Sequence, residues 1–170
     1  MIKQDISGNQ VKLIYLGIGS NLGNRKKNIE NAKFKLIENK IEILQSSSYY
    51  ETLSWPNNKN PKFLNIVLKV ASNLPPSKLL ILCKKIEVYL GRKKSAKNSP
   101  RKCDIDILDY DNLITNKHII LPHPRMHERN FVLFPLFEID KNWKHPIFYH
   151  DIKKLILFLS NKEITSIKQL

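Results

Sequence analysis

Residues 99–108 read Ser-Pro-Arg-Lys-Cys-Asp-Ile-Asp-Ile-Leu, and after Pro100-Arg101 the charged and apolar side chains alternate. This alternation is typical of a β-strand that turns one face to water and the other to a core. Asp104 and Asp106 share the water-facing side, so their carboxylates are expected to project side by side, roughly 7 Å apart along the strand. Because like charges at this spacing repel, the pair either spreads into solvent or holds a cation.

Arginine is concentrated around this aspartate pair. Only five of the 29 Lys and Arg residues are arginine, and four of the five lie within a 38-residue window that contains both aspartates. A planar guanidinium can bind a phosphate through two parallel hydrogen bonds, so arginine retained in a lysine-rich chain marks a site. Carboxylates that suit a hard cation, flanked by guanidinium groups, fit a Mg²⁺-bound polyphosphate. The five arginines are Arg25, Arg92, Arg101, Arg125 and Arg129.

Length and composition predict one globular domain over residues 1–170, with residues 1–12 as a polar N-terminal extension. The chain is 42% hydrophobic and 26% charged, which is ordinary for a globular protein. No apolar run approaches the roughly 20 residues of a membrane helix, and the first dozen residues lack the apolar core of a secretory signal. We therefore expect a cytoplasmic monomer with no membrane partner. Cys83 and Cys103 form no metal-binding or disulfide pattern and are predicted to be interior thiols.

The order of predicted elements is strand, helix, strand, strand, helix, strand, followed by C-terminal helices. This order is that of the ferredoxin-like α+β folds, a βαββαβ arrangement in which helices pack on an antiparallel sheet. The strands are predicted at Lys12–Ser20, Ile41–Thr52, Phe63–Ala71 and Lys102–Tyr110, and the helices from Asn24 or Arg25 to Asn39, from the cap Ser77 to Leu90, at Asn130–Asp140 and at Asp151–Ser160.

The net charge of +14 raises the alternative of a nucleic-acid-binding protein. A ferredoxin-like module of that class would carry exposed aromatic residues on its central strands within a Lys/Arg-Gly-Phe-type motif, and the sequence contains none. Adjacent aspartates on a central strand would also repel a phosphate backbone unless a metal intervened. We therefore expect no nucleic-acid partner.

Several residues have two interpretations when local sequence is considered alone. Trp55, in a polar loop, either packs back onto its own domain or closes a ligand pocket as part of a lid. His123 is either a turn residue between two prolines or a ligand-binding side chain. Phe63 and Phe131, taken singly, are typical of a core. Glu87 opposes the dipole of its predicted helix and, by itself, is typical of a surface carboxylate near a basic loop.

Six blocks of the sequence together resemble the 6-hydroxymethyl-7,8-dihydropterin pyrophosphokinases of folate biosynthesis. The resemblance spans Leu13 to Ile139 in the order and nearly the spacing of that family. It implies the same ferredoxin-like fold and the Mg²⁺-dependent transfer of the β,γ-diphosphate of ATP to the pterin hydroxymethyl group, which releases AMP. The blocks are Gly17–Gly23, Tyr50–Thr52, Phe63–Asn65, Ile86-Glu87 with Gly91-Arg92, Pro100-Arg101 with Asp104–Asp106, and Pro122–Arg129 with Phe131 and Pro135-Leu136.

The resemblance also implies a role for individual residues toward the two substrates, ATP and the pterin. Asp104 and Asp106 would bind two Mg²⁺ ions, with Asp104 also next to the pterin. Arg92 and Lys94 would lie in a mobile catalytic loop that closes over the phosphates. The triphosphate and the rest of the nucleotide would be held by Arg101, His123 and Arg129, with Ile107 at the adenine, and the pterin by Phe63 and Phe131 on its two faces, Asn65 at its edge and the backbone from Thr52 through Leu53 to Trp55.

The predicted catalytic loop departs from the family pattern. Asn98-Ser99 stand where the family has a tryptophan and a glycine, Lys94 replaces an arginine, and Lys84 replaces a glutamine. Lysine keeps the charge of arginine but loses its bidentate geometry. Slower turnover is expected, and a relative that binds ATP or pterin without transferring the diphosphate stays open as an alternative.

Overall fold

The strand Lys12–Ser20 lies inside an antiparallel sheet, with a neighbouring strand on each side, and is apolar along most of its length. A computed structural model describes residues 10–54, 59–92 and 99–170 of the chain. In these ranges the elements are β1 (Lys12–Ser20), α1 (Arg25–Glu38), β2 (Glu42–Ser46), β3 (Tyr50–Thr52), β4 (Phe63–Ser72), α2 (Pro76–Tyr89), β5 (Asp104–Tyr110), α3 (Asn130–Ile139), α4 (Ile152–Leu157), α5 (Asn161–Thr165) and β6 (Lys168–Gln169), with one 3-10 turn at Met126–Glu128.

The described sheet has the order β5-β1-β4, and the outer edge of β4 pairs with β2 along one part and with β3 along another. β1 runs antiparallel to both of its neighbours, and the two-residue strand β6 pairs with β3. β5 therefore forms one open edge of the sheet. The α+β class, with helices packed on an antiparallel sheet, is confirmed.

Different helices cover the two faces of the sheet. Side chains of β1 point alternately to one face and to the other, so neighbouring residues of this strand lie in different core clusters. Ile14, Leu16 and Ile18 are buried in one core cluster with apolar residues of α1 and α2. Tyr15 is buried in a second cluster with residues of α3 and α4. Alternation therefore also points Gly17 and Gly19 toward the α3 side, where they leave space beyond the end of the second core.

Local signals placed several element boundaries correctly. β1 has the predicted bounds, and the Asn24 side chain caps α1 by accepting the N–H of Lys27 at 3.0 Å. Gly91 follows α2 with a φ of 93°, a value that favours glycine. Cys83 and Cys103 are buried, as predicted, and burial raises the pKa of each thiol to about 12.

Other predicted boundaries were wrong. The single strand predicted from Ile41 to Thr52 is two strands, because Ser47 leaves the ladder and its hydroxyl accepts the Val67 N–H at 3.0 Å. Ser77 does not cap α2, which begins at Pro76, where proline already fixes a helical φ. β5 begins at Asp104 and α3 ends at Ile139, each inside its predicted span.

The C-terminal region also differs from the prediction. The helix predicted at Asp151–Ser160 is only Ile152–Leu157, capped by Asp151. The sequence did not predict α5 or β6, which follow it. No helix in the described ranges combines the length and the apolar composition needed to cross a lipid bilayer.

Candidate active site

A cavity of about 670 Å³ opens on the α3 side of the sheet. Its floor comes from β1, β4 and β5, and its walls from the residues after β3, the start of α3 and α5. Asp104 and Asp106 line it together with Phe63, Asn65 and Phe131. The structure thus brings together five predicted site residues from three distant parts of the sequence.

Gly19 has no side chain, and this leaves space for Asn65 and Phe63 above the cavity floor. A Cβ at this position would lie 2.9 Å from Asn65 Oδ1 and 3.3 Å from Phe63 Cδ1. The first distance is shorter than a van der Waals contact, so any side chain here would displace Asn65. The glycine therefore lets the amide and the aromatic ring lie directly over the strand.

The Asn65 amide is held in one orientation. Its Nδ2 donates to Thr52 Oγ1 at 3.0 Å and lies 3.5 Å from the carbonyl oxygen of Tyr50. Asn65 and Thr52 are both buried. Because the amide protons are directed to β3, Oδ1 is the atom that Asn65 presents over Gly19, as an acceptor.

The two cavity phenylalanines are half-buried, and an arginine lies over the ring of each. The guanidinium carbon of Arg101 is 5.6 Å from the centre of the Phe63 ring, and that of Arg129 is 5.4 Å from the centre of Phe131. Aromatic surface and fixed positive charge are therefore adjacent on both sides of the cavity.

Asp104 and Asp106 do not lie on an open strand face. Their side chains are 20% and 35% exposed, because the cavity walls partly cover them. Asp104 is paired with Arg92 at 2.7 Å and with Arg101 at 3.1 Å. Arg129 Nη1 approaches Asp106 Oδ2 at 3.6 Å. Each carboxylate thus already faces a guanidinium group.

The electrostatics of Asp106 and His123 are those of a crowded, partly buried site. Burial, followed by the nearby Asp104 carboxylate, raises the pKa of Asp106. Burial, followed by the charge of Arg129, lowers the pKa of His123 to about 4, so its imidazole is neutral at pH 7. His123 Nδ1 accepts the Arg125 N–H at 3.2 Å, which leaves the proton on Nε2.

Arg129 lines the cavity, and His123 lies beside Arg129 but is not itself a lining residue. Nε2 of His123 and Nη1 of Arg129 are 3.5 Å apart, and both nitrogens carry protons. Arg101 also lines the cavity, and its Nε is buried without a hydrogen-bond partner among the described residues. Unsatisfied buried donors of this kind are costly unless an acceptor reaches them, which makes this part of the cavity suited to an anion.

Glu87 was assigned to the surface by its local sequence, and this was wrong. It is 1% exposed and accepts the N–H of Ile105 at 2.7 Å. Lys84 donates to it at 2.7 Å, and Arg92 donates to its other oxygen. The one signal in the sequence was its position in the last turn of α2, where the helix dipole disfavours a carboxylate.

Other predicted site residues have different outcomes. Thr52 and Leu53 line the cavity. The side chain of Ile107 does not, because it is buried in the core against α1 and α2. Lys94 and Trp55 lie outside the described residues. Arg125, which the concentration of arginine had indicated without assigning it a role, lines the cavity, whereas the sequence prediction missed Glu128, Asn130, Lys162, Glu163 and Ser166 as lining residues.

Similarity to known proteins was found along most of the chain. A family model described as 7,8-dihydro-6-hydroxymethylpterin-pyrophosphokinase (HPPK) matches residues 15–141. The chain is 43% identical over 142 residues to a 2-amino-4-hydroxy-6-hydroxymethyldihydropteridine pyrophosphokinase of Aquifex aeolicus, over 83% of this chain and 88% of the relative. A Bacillus subtilis protein with the same name is 37% identical over 129 residues, 75% of this chain and 77% of the relative.

Longer relatives and solved structures contain a region similar to this chain. A folic acid synthesis protein of Pneumocystis carinii is 40% identical over 165 residues, which is 89% of this chain but 22% of that protein. The wild-type HPPK-DHPS of Plasmodium falciparum, solved with pteroate, superposes with a TM-score of 0.72 at 14% identity, over 95% of this chain and 48% of that one. At such low identity the superposition shows the fold alone.

Proposed function

Because this chain belongs to the 7,8-dihydro-6-hydroxymethylpterin-pyrophosphokinase family, we propose that it transfers the β,γ-diphosphate of ATP to 6-hydroxymethyl-7,8-dihydropterin, a step of folate biosynthesis. The hydroxymethyl oxygen attacks the β-phosphorus and releases its proton to solvent. The bond from that phosphorus to the oxygen shared with the α-phosphate breaks, so AMP leaves and a pterin diphosphate forms.

One observation carries this proposal. A pair of carboxylates, Asp104 and Asp106, opens into the same cavity as two phenylalanines and a fixed amide. The carboxylates suit a metal-bound polyphosphate, and the aromatic and amide groups suit a flat, polar heterocycle. A diphosphate transfer from ATP to a pterin needs the polyphosphate site and the heterocycle site next to each other.

The pterin would lie between Phe63 and Phe131. Asn65 Oδ1, held over Gly19, would accept a hydrogen bond from an N–H group on the pterin edge. Thr52 and Leu53 at the end of β3 provide backbone groups along the same side. Because Asn65 is already fixed by Thr52, little side-chain entropy is lost when the ring binds.

The donor set at the aspartates fits Mg²⁺. Among the described residues, no group of three or more His, Cys, Asp or Glu side chains converges as a complete metal site. Mg²⁺ is usually bound by one or two carboxylates, with water and phosphate oxygens as its other ligands. We propose that Asp104 and Asp106 hold two Mg²⁺ ions, which would neutralise charge on the ATP phosphates when bound.

The phosphates would meet donor groups beside the two aspartates. Arg101 and Arg129 line the cavity, Arg101 Nε has no hydrogen-bond partner among the described residues, and the Nε2–H of His123 lies 3.5 Å from Arg129 Nη1. These groups would orient the β- and γ-phosphates and stabilise the charge that develops during transfer. Arg92, now paired with Asp104 and Glu87, could exchange a carboxylate for a phosphate oxygen without losing all its partners.

The edge of β5 that faces away from β1 offers a place for the adenine next to the position that Glu87 occupies. The N–H of Ile105 points away from β1, to Glu87. Because the direction of the peptide groups repeats every second residue along a strand, the backbone of Ile107 also faces this edge. A base could therefore be bound by the Ile107 backbone although the Ile107 side chain is in the core.

Product analysis by mass spectrometry tests the proposed function. We expect purified protein with Mg²⁺, ATP and 6-hydroxymethyl-7,8-dihydropterin to form AMP and pterin diphosphate in equal amounts. If both substrates bind in the presence of Mg²⁺ but no AMP forms, the chain is a binding protein that has lost transfer. If neither substrate binds, the proposed function is wrong.

A further inference from the structure

The C-terminal segment, residues 161–170, forms part of the cavity wall. Lys162, Glu163 and Ser166 line the cavity. These residues lie beyond the stretch 15–141 that matches the family model. The segment therefore contributes to the site from outside the matched region.

Asn130 fastens one end of this segment to α3. Its Nδ2 donates to the carbonyl oxygen of Glu163 at 2.6 Å and to Ser166 Oγ at 3.2 Å. Asn130 is buried, with 9% exposure. It is the first residue of α3, and no side chain caps that helix, because Arg129 makes no capping hydrogen bond.

Strand pairing fastens the other end of the segment to β3. Lys168 pairs with Glu51 and Gln169 with Tyr50, and the N–H of Leu170 donates to the carbonyl oxygen of Tyr49 at 2.9 Å. Both attachments lie close to residues that we propose bind substrate. Asn130 stands between Arg129 and Phe131, and the paired residues directly precede Thr52 in the chain.

We propose that Asn130 is a positioning residue that docks the C-terminal segment as a wall at the pterin end of the site. This inference rests on the proposed function. The segment connects the β3 side of the cavity to the α3 side, and the hydrogen bonds of Asn130 fix the first turn of α3. Phe131 is held where it can cover one face of the pterin. β5, at whose edge we propose that adenine binds, lies at the other end of the strand order from β6 and does not contribute to this wall.

Binding measurements on Asn130→Ala test the proposal. Calorimetry would be done with 6-hydroxymethylpterin in the presence of Mg²⁺ and α,β-methylene-ATP, and with the nucleotide analogue alone. Loss of two buried hydrogen bonds is expected to weaken pterin binding roughly tenfold. Nucleotide binding should change less than about twofold. In turnover assays the KM for the pterin should rise while kcat at saturating pterin is maintained.

Asn142→Ala is the matched control, because Asn142 is exposed and its side chain does not line the cavity. Ser166→Ala removes the longer of the two Asn130 hydrogen bonds, together with the hydrogen bond that Ser166 Oγ donates to the Glu163 carbonyl oxygen at 3.0 Å. It leaves the shorter Asn130 bond in place and should give a smaller loss of pterin affinity, so the proposal stays testable if Asn130→Ala does not fold. A lower melting temperature with unchanged pterin affinity in both variants would overturn the positioning role. Wild-type protein that binds no pterin would instead overturn the proposed function.

Discussion

The buried carboxylate of Glu87 accepts the N–H of Ile105, the residue between Asp104 and Asp106, at 2.7 Å. The end of α2 is thereby tied to the edge strand that carries both aspartates. The same carboxylate holds Lys84 and Arg92. The Glu87 side chain thus helps to position both the edge strand and the Arg92 guanidinium beside Asp104.

Glu87→Gln should lower the free energy of unfolding by about 2 kcal/mol, because a buried charge-assisted hydrogen-bond network loses its charge. Urea denaturation monitored by circular dichroism measures this change. Glu38→Gln is the control, since Glu38 forms an exposed pair with Lys35 and its loss should lower the free energy of unfolding much less. Equal effects in the two variants would show that the Glu87 network stabilises the fold no more than an exposed ion pair does.

Asp106→Asn should reduce diphosphate transfer at least about 1,000-fold, because one of two proposed Mg²⁺ ligands is lost. The melting temperature should stay the same or rise, since the substitution removes the repulsion between Asp106 and Asp104. Asp111→Asn, at an exposed turn, is the control. Full activity of Asp106→Asn would contradict the metal assignment.

Gly19→Ala should weaken pterin binding more than about tenfold while leaving nucleotide binding near the wild-type value. The new Cβ would displace Asn65 Oδ1, which lies only 2.9 Å away. Gly17→Ala is the matched variant on the same strand face, where a Cβ would make an ordinary contact of 3.4 Å with Leu108. Calorimetry with 6-hydroxymethylpterin distinguishes the two. Similar losses in both variants would argue against an Asn65-specific effect.

His145 should make the fold sensitive to mild acid. It is 2% exposed, and burial, followed by the nearby His127 and His150, lowers its pKa to about 4. The unfolded chain takes up this proton near pH 6.5, so the free energy of unfolding is unaffected above that pH and falls as the pH drops from about 6.5 toward 4. Nδ1 of His145 accepts the N–H groups of Ile147 and Phe148, contacts that the neutral ring maintains.

Urea denaturation at pH 7.5 and pH 5 measures this sensitivity. His145→Asn keeps an acceptor near the Nδ1 position and should be less stable at pH 7.5 but should lose less stability between the two values than wild type. His118→Asn, at an exposed position, is the control and should follow the wild type. An unchanged pH dependence in His145→Asn would exclude His145 as its source.

Features that depend on short stretches of sequence could be predicted. The bounds of β1 follow from a run of β-branched and aromatic residues, and the start of α1 from the capping side chain of Asn24. The alternation around Asp104 and Asp106 correctly placed both carboxylates on the same side of one strand. These signals lie within the elements that they define, so the elements can be predicted from the sequence without knowledge of tertiary contacts.

Features that depend on distant contacts could not be predicted. Glu87 is buried because its partner Ile105 lies 18 residues further along the chain. α5 and β6 are short and mostly exposed, and they are held by Asn130 and β3. The division of the second strand depends on the contact of Ser47 with Val67 on β4. In each case the decisive partner is specified by the tertiary fold.

The position of β6 has a practical consequence for handling the protein. Leu170 is 60% exposed and follows a strand attached next to Thr52 at the cavity. A bulky group attached at Leu170 would begin beside the part of the site that we propose for the pterin. Such a group could hinder substrate entry or pull β6 from its partner, so kinetic work on this enzyme is better done with labels placed away from residues 168–170.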